Sequence, residues 1–168
     1  MSEALPFDAL RAATLLRDFS EVGVRILASA VEPRRVGRGT YVFRAGEPST
    51  SLSFIAKGTV QLLAREGGGS LGEVAGGDSL GGLSLLFGAG GAGSAGGEHL
   101  LSAMATSDVE LLVLSGTRFA QLQVEKPRVC LKLLLALAHD LGERVRDAKG
   151  PLREFLVWQI GKRQSESR

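Results

Sequence analysis

The chain has 168 residues, 44% hydrophobic and 23% charged, with 23 glycines and a formal charge of +2. This is one domain's length with globular composition, which excludes a disordered or fibrous chain. The charge is too small to imply a nucleic-acid partner by itself, and a lone cysteine, Cys130, excludes an internal disulfide and fits a reducing, cytoplasmic setting.

The N-terminus, MSEALPFDAL, has no basic segment followed by an apolar run, so no signal peptide is expected. Residues 5–31 read as helical. Val22, Ile26, Leu27 and Ala30 recur at helical spacing, Ser20 suits the N-cap, and Pro33 stops the helix. From Arg34 the period shortens towards two. Val36, Tyr41, Phe43, Leu52, Phe54, Val60 and Leu62 mark short strands, separated by glycine-bearing turns. Close, regular strands of this kind predict a sandwich or barrel.

Residues 76–115 organise the rest. Asp78 to Phe87 is a turn, a glycine pair and an apolar run. The segment 88–97 is almost pure Gly, Ala and Ser. Glu98 to Leu114 then reads as two strands split at Ser107-Asp108. Ser115 or Thr117 can cap a short helix ending near Glu125, and Pro127 suits the first turn of the next. That helix, 127–148, is apolar on nearly every face from Val129 to Leu141, so it needs more than one neighbour. Its most apolar run is broken by Lys132 and is too short to span a bilayer. Gly150-Pro151 ends it, and a last helix is expected at Leu152–Ile160.

The glycine set Gly39, Gly46-Glu47, Phe54-Ile55, Gly58 and Gly76-Asp78, with Leu80-Gly81-Gly82-Leu83-Ser84-Leu85-Leu86, resembles the cyclic nucleotide-binding domain family over residues 19–148. This is the sensory fold of catabolite activator-type regulators and of cyclic-nucleotide-dependent kinases and channels. The resemblance implies an α+β domain: an antiparallel, jelly-roll-like β-roll with N-terminal helices and a long C-terminal helix. The expected division is a helical segment 1–33, a roll 34–115, C-terminal helices 116–149 and a helical tail 150–168. It also implies a ligand pocket at Gly81, Gly82, Leu83, Ser84, His99, Ser102 and Arg144. The family cassette carries an acidic residue for the ribose and an arginine for the cyclic phosphate. Gly82 stands at the first and His99 near the second, with Ser102 at the following Thr/Ser position. The phosphate-binding cassette is therefore degenerate. Arg65 or Arg144 could restore the charge by turning inward.

Other chemistries fit less well. Gly88 to Gly93 matches G-x-G-x-x-G, but low-complexity sequence follows where a dinucleotide site needs a helix. Gly161-Lys162 lacks the upstream glycine of a phosphate loop. A metal-dependent cupin would need several converging histidines, and His99 and His139 lie on different elements, so no metal is expected. Cys130 reads as a small buried hydrophobe and His139 as a surface or interface residue. Ser84 and Ser102 lack a His/Asp partner for nucleophilic catalysis.

The sequence thus points to a stand-alone, non-enzymatic regulatory or scaffolding module without a cofactor. It would not bind cyclic AMP or cyclic GMP in the usual way and would act through protein contacts or a different ligand. The alternatives are a genuine cyclic nucleotide sensor with an altered phosphate cradle, and a subunit that meets DNA only in complex with another protein. A homodimer is expected on the long helix through Leu134, Leu137 and Leu141, with an unidentified protein partner, no membrane contact, and no DNA binding by this chain alone.

Overall fold

The computed structural model describes residues 4–64, 68–82, 85–86, 97–155 and 157–158. Helix α1 (Ala4–Arg11), a 3-10 turn (Thr14–Leu16) and helix α2 (Glu21–Ala28) precede eight strands among the described residues. These are β1 (Glu32–Val36), β2 (Tyr41–Phe43), β3 (Ser51–Lys57), β4 (Thr59–Leu63), β5 (Ser70–Ala75), β6 (Ser79–Leu80), β7 (Ser102–Ala105) and β8 (Val109–Ser115). Helices α3 (Gly116–Glu125) and α4 (Pro127–Asp147) follow, and residues 150–155 are again helical. The strands form two antiparallel four-stranded sheets, ordered β1-β8-β3-β6 and β2-β7-β4-β5.

The helix expected over 5–31 is broken. Thr14 turns its N–H to the Gly77 carbonyl at 2.9 Å, so the chain leaves helical geometry to meet the roll. Ser20 restarts it, its hydroxyl accepting from the Gly23 N–H at 3.2 Å. Pro33 lies inside β1. That strand is the edge of its sheet, where a residue without an N–H is tolerated. Ser115 caps α3 by accepting from Arg118 N–H, and Pro127 opens α4.

Two apolar layers share one sheet. Val36, Ile55, Val60, Val109 and Leu111 fill the roll. On the other side of the same sheet, Leu52, Phe54, Leu112 and Leu114 pack against Leu16, Val24, Leu27, Phe119, Leu122, Cys130 and Leu133. Strands β3 and β8 are therefore apolar on both faces, and each buried Leu or Phe contributes about 1.5–3 kcal/mol. Cys130 is a free thiol in this layer, and burial pushes its pKa up, so it behaves as a hydrophobe.

The β3–β4 turn depends on Gly58. Its φ is +95°, and a Cβ there would run into the Asp108 carbonyl of the β7–β8 turn. Gly58→Ala is expected to destabilise the domain by roughly 2–3 kcal/mol, combining backbone strain with a backbone clash. Urea unfolding followed by circular dichroism measures it. A midpoint equal to wild type would show that the two turns are not in contact.

Candidate functional site

The turn after β5 delivers the chain to the site. The Asp78 carboxylate accepts from Ala75 N–H at 2.9 Å, and the Asp78 carbonyl accepts from Ile55 N–H at 2.9 Å. Strand β6 then pairs briefly with β3, and Gly81 and Gly82 follow at the open end of the roll. Gly81 has φ +78°, and a Cβ on it would sit 2.6 Å from the Ser51 carbonyl. Leu83 and Ser84, expected in the pocket, lie outside the described residues, as do Arg65 and all of the glycine-rich stretch except Gly97.

Two cavities meet here. One, of about 200 Å³, is largely apolar and lies between the Gly81-Gly82 turn, residues 97–101, helix α4 and the tail, with Leu152 and Phe155 over it. The other, of about 280 Å³, is polar and enters the roll among Arg34, Glu47, Ser51, Ser53 and His99. Phe43, Leu80, Gly81 and His99 belong to both walls.

Gly82 is held by packing. A Cβ on it would come within 2.6 Å of Leu137 Cδ2. Leu137 is 4% exposed and belongs to the protomer's own core. It is therefore an intramolecular contact, not the middle of the intersubunit seam expected at Leu134, Leu137 and Leu141. Leu134 and Leu141 are half-buried, and the exposed leucines of α4 are Leu131 and Leu135.

His99 is stacked face to face on Phe43, ring centroids 3.7 Å apart and planes within 5°. Its backbone is paired as well. His99 N–H donates to Glu47 O, and its carbonyl accepts from Gly46 N–H. Burial lowers the imidazole pKa below its ordinary 6.5, against a smaller opposing pull from Glu47. The ring is thus neutral at physiological pH and stands near a carboxylate, a poor substitute for a guanidinium facing a phosphate.

Ser102 is fully buried, but its hydroxyl accepts from Ala45 N–H at 2.9 Å and it lies in neither cavity wall. It ties β7 to the turn after β2. Arg144 does reach the apolar cavity, paired at 2.7 Å with Asp140, which lines it too. The cavity thus gains an ion pair and not an unbalanced cation. His139 is a surface residue, 3.3 Å from Glu143. No group of three or more potential metal ligands occurs among the described residues, and no described helix is long and apolar enough to cross a membrane.

Sequence reasoning missed Arg34, Ser53 and the Phe43–His99 stack. Arg34 sits two residues before the interior Val36, so the strand period would have placed it on the same side of β1, where it stays exposed at the cavity mouth.

The profile of the cyclic nucleotide-binding domain family matches residues 33–125. The chain belongs to that family. An uncharacterised NTE family protein from Mycobacterium tuberculosis is 39% identical over 81 residues, 48% of this chain. That match spans only 14% of the relative's length. A cyclic nucleotide-binding domain from Methylobacillus flagellatus KT superposes with TM-score 0.69 at 23% identity, covering 87% of this chain and 79% of that one. The regulatory subunit of a cAMP-independent protein kinase A from Trypanosoma brucei superposes with TM-score 0.70 at 19% identity, covering 94% and 49%. At these identities the two structures are similar in fold alone.

The His99 environment has a pH consequence. A folded-state pKa below the unfolded value means the unfolded chain binds the extra proton first, so this residue's contribution falls as pH drops through 6.5. Titration of the His99 ring by NMR is expected to show a midpoint below 6.5. The pH 7.5-to-5.5 loss of stability in urea should shrink in His99→Phe, which keeps a ring against Phe43. An unchanged loss would assign the pH dependence to other groups.

Proposed function

We propose that this domain is a non-enzymatic regulatory or scaffolding module that keeps the cyclic nucleotide-binding fold without the usual cyclic AMP or cyclic GMP site, and works through protein contacts. The observation that carries this reading is the Gly82–Leu137 contact. Gly82 stands where the family's ribose-binding carboxylate would be, so that carboxylate is missing, and a Cβ there would require the Leu137 side chain to shift. His99, neutral and close to Glu47, supports the same reading at the phosphate end. The Trypanosoma brucei neighbour, the regulatory subunit of a cAMP-independent protein kinase A, is a precedent for this fold serving regulation without cyclic AMP. The mycobacterial relative suggests that such a module can sit within a much longer protein.

Removing one partner of a desolvated anion costs about 2–5 kcal/mol. Cyclic AMP and cyclic GMP are therefore expected to bind no more tightly than roughly 100 μM. Isothermal titration calorimetry at neutral pH measures this directly. A micromolar dissociation constant for either would favour the alternative, a sensor with an altered cradle, and its loss in Arg144→Ala would identify the cation.

The protein contact we propose is a second copy on α4, where Leu131 and Leu135 are 59% and 63% exposed one helical turn apart. Leu135→Asp should then convert a dimer to a monomer in light scattering at tens of micromolar, with the fold intact by circular dichroism. A monomeric wild type would remove this contact. With a net charge of +2, specific duplex binding by this chain alone is not expected.

A further inference from the structure

The polar cavity inside the roll is unaccounted for by a degenerate nucleotide site. Arg34 in its wall makes one hydrogen bond, from Nη2 to the Val42 carbonyl at 3.3 Å. Arg34 is exposed, no carboxylate among the described residues pairs with it within 4 Å, and its other guanidinium N–H groups are open to solvent or to a ligand. The neighbouring Glu47 is engaged elsewhere. One oxygen accepts from Arg44 N–H at 2.8 Å and the other lies 3.8 Å from the Arg44 guanidinium. Ser53 lines the same cavity, and its hydroxyl, which hydrogen-bonds to no described residue, is open to it. An arginine without a counterion and an accessible hydroxyl in one polar cavity wall form a half-built anion site.

The adjoining cavity has the opposite character. Leu86, Leu101, Leu141, Leu152 and Phe155 line it, and it shares Phe43, Leu80, Gly81 and His99 with the polar one. Each volume alone is small, but a ligand running past the Phe43–His99 stack could use both, in the size range of roughly 300–1,000 Å³ typical of small-molecule sites.

We propose that Arg34 and Ser53 form an anion site for a small amphiphilic acid, a carboxylate or phosphate whose apolar body lies beneath α4 and the tail. The site is carried by β1 and β3, not by the family's phosphate cassette. It rests on the proposed loss of the usual nucleotide site, and adds a ligand of another class to that module. Arg34 supplies a forked, permanently charged donor set suited to either headgroup. The neutral imidazole of His99 lets an apolar chain pass between the two cavities.

The test uses 4-phenylbutyrate, its neutral counterpart 4-phenylbutanol, and phenyl phosphate, each titrated by calorimetry into the whole chain. Wild type should bind at least one of the two anions about tenfold or more tighter than the alcohol, through charge-assisted hydrogen bonds. The tighter anion tells carboxylate from phosphate. Arg34→Gln should abolish the preference for the anion while leaving the weak alcohol affinity, and Ser53→Ala should reduce it. Arg34 is exposed, so Arg34→Gln should fold, which circular dichroism verifies. Equal affinity for acid and alcohol, an Arg34→Gln protein that keeps the preference, or no binding of any probe would each overturn the proposal. Cyclic AMP in the same titration separates the two readings. Failure of every probe, cyclic AMP included, removes the acid site alone. Micromolar cyclic AMP binding unaffected by Arg34→Gln removes both.

Discussion

Strands β3 and β8 lie side by side and are buried on both faces, and the domain is built outward from that pairing. Ile55 and Leu111 look into the roll, while Phe54 and Leu112, one residue along in each strand, look out to the helices. A strand of this kind has no solvent face to which its register could slip, because a one-residue shift would exchange one core for the other. The pairing therefore sets the position of both apolar layers. It also sets where Ser53 points. As the neighbour of Phe54 it must face the roll, and so a hydroxyl is placed in the wall of the polar cavity.

The site follows from how the outer layer closes. Helix α4 lies against the outer layer through Cys130, Leu133 and Leu137, and its last contact reaches the turn after β6. Glycine at 82 lets the Leu137 side chain come close, so a Cβ there would require that side chain to shift. Further along α4, Asp140 answers Arg144 at the cavity wall, so the helix adds no unbalanced charge. The one cavity-lining cation without a carboxylate among the described residues comes from the opposite side, on the edge strand β1.

Much of this was legible locally. Ser20 and Ser115 are caps because a hydroxyl beside a helix start satisfies a backbone N–H, whatever the rest of the chain does. Pro127 opens a helix because it has no N–H to lose. The break between β7 and β8 at Ser107-Asp108 shows in composition alone. The glycine spacing that led to the family is equally local, since Gly58 lies in a backbone region that other residues enter only with strain.

By itself, then, the sequence determined most of the elements and the family, both of which depend on residue type and near neighbours. Which face of α4 turns inward was decided only in three dimensions. A helix apolar nearly all round has no preferred side until a gap such as Gly82 accepts one residue, and Leu137 is the residue that fits. Tertiary structure alone also broke the helix expected over 5–31, through the Thr14–Gly77 hydrogen bond between distant segments. It committed Ser102 to Ala45 and brought Arg34 and Ser53 to one cavity. A side chain's charge and hydrogen-bonding capacity are written in the sequence. Whether they are already satisfied depends on partners up to a hundred residues away, and only the fold brings those together.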